Sequence, residues 1–268
     1  MRLSRFAASV SATLLTAGFV LAGTGAAHSA EPTAATGYVA LGDSYSSGVG
    51  AGSYDSSSGN CKRSTKSYPA LWAAAHSSAA FSFTACSGAR TGDVLANQLA
   101  PLSASTGLVS ISVGGNDAGF ADVMTTCVLN SESACLQRVQ EARAYVANTL
   151  PGKLDQVYSA ISGKAPAAHV VVLGYPRLYK LNGSCIAGLS EKERAALNAA
   201  SDDLNATTAK RAADHGFTFG DVTTTFNGHE ICSSDSWIHS VSWPIENSYH
   251  PTAAGQSGGY LPVFTSAA

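Results

Sequence analysis

The sequence is poor in charge. Only 13% of its 268 residues are Asp, Glu, Lys or Arg, and the formal net charge is −2. No basic stripe is available to follow a phosphate backbone, which disfavours nucleic acid as a partner. There is no Cys-x-x-Cys pair, and no His stands at ligand spacing from a second His or Cys on a helix. A metal site therefore finds no donor set, and no cofactor is expected. No G-x-G-x-x-G follows the first apolar run, which argues against a nucleotide binder. Beyond the N-terminus no long apolar segment exists to span a bilayer, and no internal repeat is visible. What the chain does have is 45% hydrophobic residues, enough for a substantial core. The length suits one large domain or two small ones.

The N-terminus reads as an export signal. Arg2 and Arg5 give a positive start, an apolar stretch runs from about Phe6 to Ala22, and small residues follow. Ser9, Ser11, Thr13, Thr16 and Gly18 dilute that stretch, which weakens a membrane-anchor reading. Ala27, Ala30 and Ala34 are all acceptable ends, so residues 1–34 are assigned to a signal peptide and short leader, cleaved somewhere in 27–34. Residues 35–268 are then the expected secreted part. All six cysteines lie in that part, and an even number in an exported chain points to three disulfides without choosing their pairing.

Short apolar runs at Tyr38–Leu41, Phe81–Ala85, Leu108–Val113 and His169–Leu173 read as buried strands, with Phe217–Phe219 a weaker fifth. Helical spacing connects Val139, Ala142, Val146, Leu150, Leu154, Val157 and Ile161, with Pro151 marking a kink or break. Ser190 and Glu193 form a capping box, and Pro69–Ala75 is a short helix. Strands alternating with helices predict an α/β domain around a central, mainly parallel sheet. In such sheets reactive groups gather beyond the C-terminal strand ends. Polar and glycine residues stand at those points: Gly42-Asp43-Ser44-Tyr45, Cys86-Ser87-Gly88-Ala89 and Gly114-Gly115-Asn116-Asp117.

A serine hydroxyl is a weak nucleophile at neutral pH. It needs a base for its proton and donors for the oxyanion that forms. Ser44 is the candidate nucleophile, although a serine here could simply cap a helix. His250, in Asn247-Ser248-Tyr249-His250-Pro251-Thr252, is the candidate base on a fixed turn into a C-terminal helix. His76, His169, His215, His229 and His239 carry no comparable local signature. Gly88 can bring a main-chain N–H close to an oxyanion, and the Asn116 side chain offers two N–H groups. Asp117 reads as structural.

These four blocks, in order and each at its expected place, resemble the SGNH hydrolases, also called GDSL lipases and esterases. The likeness is strongest to the secreted lipase/esterase branch of filamentous actinobacteria. Tyr45 replaces the Leu of the eponymous block. The resemblance implies that residues 35–268 form a single domain with a three-layer α/β/α, flavodoxin-like SGNH-hydrolase fold, and that Asp43 is structural. It implies Ser44 as nucleophile, His250 as base and then acid, and an oxyanion hole from the N–H groups of Ser44 and Gly88 and the Asn116 side chain. It also implies the disulfides Cys61–Cys86, Cys127–Cys135 and Cys185–Cys232. One departure stands out. The family places an Asp three residues before the histidine, and this chain has Asn247. The imidazole could then be oriented weakly by Asn247, by Glu246, or by a main-chain carbonyl at Ser248. The carbonyl is favoured, which leaves a Ser–His dyad.

Gly255-Gln256-Ser257-Gly258-Gly259 matches a G-x-S-x-G elbow, but no Asp or His follows it, so Ser257 is read as a residue of a C-terminal helix or loop. Gly48, Val49, Gly50, Ala51 and Gly52 suggest an open, adjustable groove for acyl chains. Residues 116–136 are expected to add a partial wall, clipped by Cys127 and Cys135. The expected function is a secreted serine lipase/esterase acting on acyl glycerols and simple esters. A phospholipase, thioesterase or carbohydrate esterase using the same site is the alternative, and a secreted binding module is the non-enzyme alternative. The ester or lipid substrate is the partner expected, with no stable membrane anchor and a monomeric chain.

Overall fold

The computed structural model describes residues 37–76, 80–185 and 188–268. Residues 1–34, expected to be an export leader, lie outside these described residues. Five strands form one sheet: β1 (Gly37–Ala40), β2 (Phe81–Phe83), β3 (Thr106–Ile111), β4 (His169–Leu173) and β5 (Thr218–Gly220). Every pairing is parallel, and the order is β2-β1-β3-β4-β5. Val170 to Leu173 are all buried, as a continuous apolar strand must be when helices cover both faces of its sheet.

The helices are α1 (Ser44–Ser47), α2 (Tyr68–Ala75), α3 (Thr91–Asn97), α4 (Phe120–Leu129), α5 (Glu132–Asn148), α6 (Leu150–Lys164), α7 (Glu191–Asp214), α8 (Thr223–Phe226) and α9 (Leu261–Ala267). The long apolar period from Val139 to Ile161 resolves into two helices. Val139, Ala142 and Val146 face inward from α5; Leu150, Leu154, Val157 and Ile161 do so from α6. Pro151 occupies the first turn of α6, where a missing N–H costs no hydrogen bond. Ser190 and Glu193 close a reciprocal capping box on α7. Helices α3, α5, α6 and α7 pack together as one layer, and α2 and α9 pack together as another. Both α7 and α9 reach β4 and β5, so the sheet lies between two helical layers.

This strand order is that of the flavodoxin-like doubly wound sheet, whose winding reverses between β1 and β3. Ligands bind such sheets in the crevice outside the carboxyl ends of the strands at that reversal. The turn after β1 carries Ser44, and the turn after β3 carries Asn116. The topology thus brings two blocks, far apart in sequence, to the two sides of one crevice.

Candidate active site

The chain leaves β1 through Gly42 into α1, and Asp43 caps that helix by accepting from the Tyr45 N–H at 3.0 Å. Ser44 is the first residue of α1 and is buried. The Gly42 turn is clamped by a buried amide, since Gln98 Oε1 accepts from Gly42 N at 2.7 Å and Gln98 Nε2 donates to Gly42 O at 2.9 Å. From the far end of the chain, Gln256 does the same for the neighbouring helices. Its Nε2 donates to Tyr45 O at 3.0 Å, and its Oε1 accepts from Tyr68 N at 2.9 Å.

Ser44 Oγ lies 2.8 Å from His250 Nε2. His250 Nδ1 lies 3.0 Å from the Ser248 carbonyl oxygen. A carbonyl can only accept, so Nδ1 carries the proton and Nε2 presents its lone pair to the Ser44 hydroxyl. Burial disfavours the imidazolium and pushes the His250 pKa down from 6.5 to about 4, while the main-chain carbonyls of Ser248 and Glu246 pull weakly upward. The ring is therefore neutral across the ordinary pH range.

The two side chains considered as orienters face elsewhere. Asn247 Oδ1 accepts from the Tyr54 hydroxyl at 3.1 Å, and Glu246 pairs with Lys62 at 3.0 Å. That ion pair holds the Glu246 carboxyl below its ordinary value. Both contacts tie the segment before His250 to the loop 48–67.

Ser44, Gly88, Asn116 and His250 line one cleft of about 450 Å³. Gly88 has φ +78, a left-handed conformation that favours glycine, and the turn is fastened by the Cys61–Cys86 disulfide. One N–H of Asn116 is used by the Ala89 carbonyl at 3.0 Å, which holds the amide and leaves its second N–H unassigned among the protein's bonds. Asp117 accepts from Thr91 N at 2.9 Å and Thr91 Oγ1 at 2.6 Å, so it braces the start of α3.

Much of the remaining lining is apolar. Phe120, Ala121, Met124, Val128 and Leu129 come from α4, and Val241 and Ile245 come from the opposite loop. The Cys127–Cys135 disulfide joins α4 to α5. Cys185 bonds to Cys232. The groove expected from Gly48 to Gly52 is not there. Val49 and Ala51 are buried, and a Cβ on Gly50 would stand 2.6 Å from the Pro251 carbonyl and 3.0 Å from His250 Cβ. Gly50 is small because the loop carrying His250 packs directly on it, and Gly48 packs against Ser64 and Ser67.

Sequence reasoning missed Tyr175. Its hydroxyl donates to Asp43 Oδ2 at 2.5 Å, while Ser112 Oγ donates to Asp43 Oδ1 at 2.7 Å. Tyr175 follows β4, and the strand-end rule that singled out Ser44, Gly88 and Asn116 would have found it had it been carried on to the fourth strand. Burial pushes the Asp43 pKa up to about 6, against the donors around it. Gln98 and Gln256 left no such signal, because nothing local distinguishes a clamping glutamine from a surface one. Ser257 lies in a single π-helical stretch, Gly255–Tyr260, and is exposed, with no catalytic partner; the flanking glycines pack on Trp237 and Phe226. Among the described residues no group of three or more His, Cys, Asp or Glu is arranged to hold a metal, and no helix is long and apolar enough to cross a membrane.

A parallel α/β/α sheet with a serine–imidazole contact beyond its strand ends is the layout of a serine hydrolase. The chain belongs to the GDSL-like lipase/acylhydrolase family, whose profile matches residues 40–257. It is 72% identical to a lipase of Streptomyces rimosus over the full length of both chains. The crystal structure of an extracellular lipase from Streptomyces rimosus superposes with a TM-score of 0.86 at 74% identity, covering 87% of this chain and 100% of that one. That of phospholipase A1 from Streptomyces albidoflavus gives 0.86 at 68% identity, covering 88% and 100%.

Proposed function

We propose that the chain is a secreted lipase/esterase that cleaves acyl glycerols and simple esters through an acyl-enzyme on Ser44. The observation that carries this reading is the 2.8 Å contact between Ser44 Oγ and an imidazole nitrogen whose tautomer makes it an acceptor. His250 takes the Ser44 proton as the oxygen attacks the ester carbonyl. The N–H groups of Ser44 and Gly88 and the free N–H of Asn116 hold the oxyanion. When the tetrahedral intermediate collapses, the carbon–oxygen bond to the alcohol breaks and His250 protonates the leaving oxygen. A water that gives its proton to His250 then attacks the acyl-enzyme, and the acid departs as Ser44 recovers its proton.

The apolar wall from α4 and the residues Val241 and Ile245 supports an acyl chain as the group placed in the cleft. The Ser248 carbonyl serves as orienter in this reading, so the machinery is a dyad. Residues 1–34 act as the export leader, and 35–268 are the mature single domain. The 68% identity to a protein named phospholipase A1 favours a second reading on the same site, with a phospholipid as the ester.

A chain-length series of nitrophenyl esters, run beside triacylglycerol and phosphatidylcholine, tests both. Triacylglycerol and medium or long acyl esters turned over well are the expected result. Strong preference for phosphatidylcholine would transfer the assignment to the second reading. No ester hydrolysis at all would end both.

A further inference from the structure

Six large apolar side chains are exposed among the described residues: Val128, Leu129, Leu181, Val241, Trp243 and Ile245. A random scatter of such residues needs no explanation. Four of these are not scattered. Val128, Leu129, Val241 and Ile245 all line the cleft that contains Ser44. Trp243 lies between two of them in sequence and is 89% exposed. A tryptophan that open to water gains nothing from the fold around it.

The patch is built as a rim. Val128 and Leu129 end α4, and the Cys127–Cys135 disulfide holds that end to α5. The segment carrying Val241, Trp243 and Ile245 is held at its base, where Ser248 Oγ accepts from Ser242 N at 3.0 Å. Besides the neutral His250 imidazole, the acidic or basic side chain lining the cleft is Glu246, and it is paired with Lys62. The rim therefore offers apolar contact with no net charge of its own. Exposed hydrocarbon from α4 and from the 241–245 segment at one opening, with an exposed indole between Val241 and Ile245 in sequence, suits the boundary between lipid headgroups and acyl chains, where tryptophan is favoured. A protein partner would need a matched surface; an acyl chain needs only a continuous apolar path, and the rim is continuous with the wall that leads to Ser44.

We infer that Leu129, Trp243 and Ile245, with Val128 and Val241 beside them, form a docking surface for a neutral or zwitterionic lipid surface, seating the cleft mouth against the aggregate. The inference rests on the ester-hydrolase reading, because it takes the cleft as the destination of the acyl chain. Docking is by partition of apolar surface, so it depends little on salt.

The test uses vesicles of ether-linked phosphatidylcholine, which an esterase cannot hydrolyse, and the intact mature protein. The protein is expected to sediment with the vesicles equally at low and high salt. Trp243→Ser, which alters no residue lining the cleft, is expected to weaken that binding by about tenfold. It should leave kcat/KM on a monomeric, water-soluble nitrophenyl ester unchanged, and Trp243→Phe should restore most of the binding. Trp243→Ser protein that binds as well as the parent overturns the inference. So does a parent that does not bind, or one released by salt. The soluble ester keeps the two readings apart: turnover without docking defeats this inference alone, and no turnover defeats the function on which it rests.

Discussion

The Tyr45 hydroxyl donates to the main-chain carbonyl of Tyr249 at 2.7 Å. One residue adjoins Ser44 and the other adjoins His250, so this bond fastens the helix that carries Ser44 to the loop that carries His250. Tyr249 has φ +63, a backbone conformation that costs energy for a residue with a side chain and needs such restraint. Tyr45 occupies the position where the family's eponymous block has Leu. Tyr45→Phe keeps the ring and removes the donor, leaving a buried carbonyl unpaired at a cost of about 1–3 kcal/mol. We expect a lower Tm and a fall in kcat of about tenfold with KM little changed, since the bond sets the serine–imidazole geometry rather than the cleft lining. Unchanged kcat would show that the loop holds its place without the hydroxyl.

Asn247 is the position where a catalytic acid is expected, yet its amide oxygen serves Tyr54. Asn247→Ala should therefore leave kcat within a few fold of the parent and cost no more than about 1.5 kcal/mol of stability, the worth of one part-buried hydrogen bond. A collapse in turnover with the fold intact would assign the orienting role to Asn247 and remove it from the Ser248 carbonyl.

Asn116→Ala deletes an amide donor from the site while leaving Ser44 and His250 in contact. A preorganised oxyanion donor contributes about 2.7–4 kcal/mol to the transition state, so kcat should fall by about 10²–10³ with KM nearly constant. A matching fall in Tm without loss of kcat would make Asn116 a structural residue that holds the Ala89 carbonyl.

The pH profile follows from the direction of the His250 shift. In the proposed mechanism the neutral imidazole is the base, and burial holds its pKa at about 4. The acid limb of kcat/KM on a soluble ester should fall with unit slope near that value, and the rate should be flat where a free histidine would titrate. A limb near the free-histidine value would show that the imidazole is well hydrated. Asp43, held up near 6, is the other acid close by; persistence of the limb in Asp43→Asn assigns it to His250. The linkage has a definite sign. With its folded pKa below its unfolded one, His250 contributes stability that is complete above 6.5 and lost as pH falls through about 4.

Much of the fold was legible in the sequence because buried parallel strands must be continuously apolar. Val170 to Leu173 could be little else. The strand-end rule then pointed to Ser44, Gly88 and Asn116, and the geometry brings all three to one cleft with His250. What was not legible is what long-range packing decides. The glycines after Ser44 looked like a groove, but Gly50 among them makes room for a loop from the other end of the chain. Gln98 and Gln256 clamp the nucleophile's turn across separations of 56 and 211 residues, and no local pattern reports a bond of that reach.

The most direct measurement of the central claim is reaction with a nitrophenyl organophosphonate followed by peptide mass mapping. One phosphonyl group on Ser44, gained in step with the loss of esterase activity and absent from Ser44→Ala, is the predicted result. Labelling at another residue, or Ser44→Ala protein that hydrolyses esters at the parental rate, would contradict it.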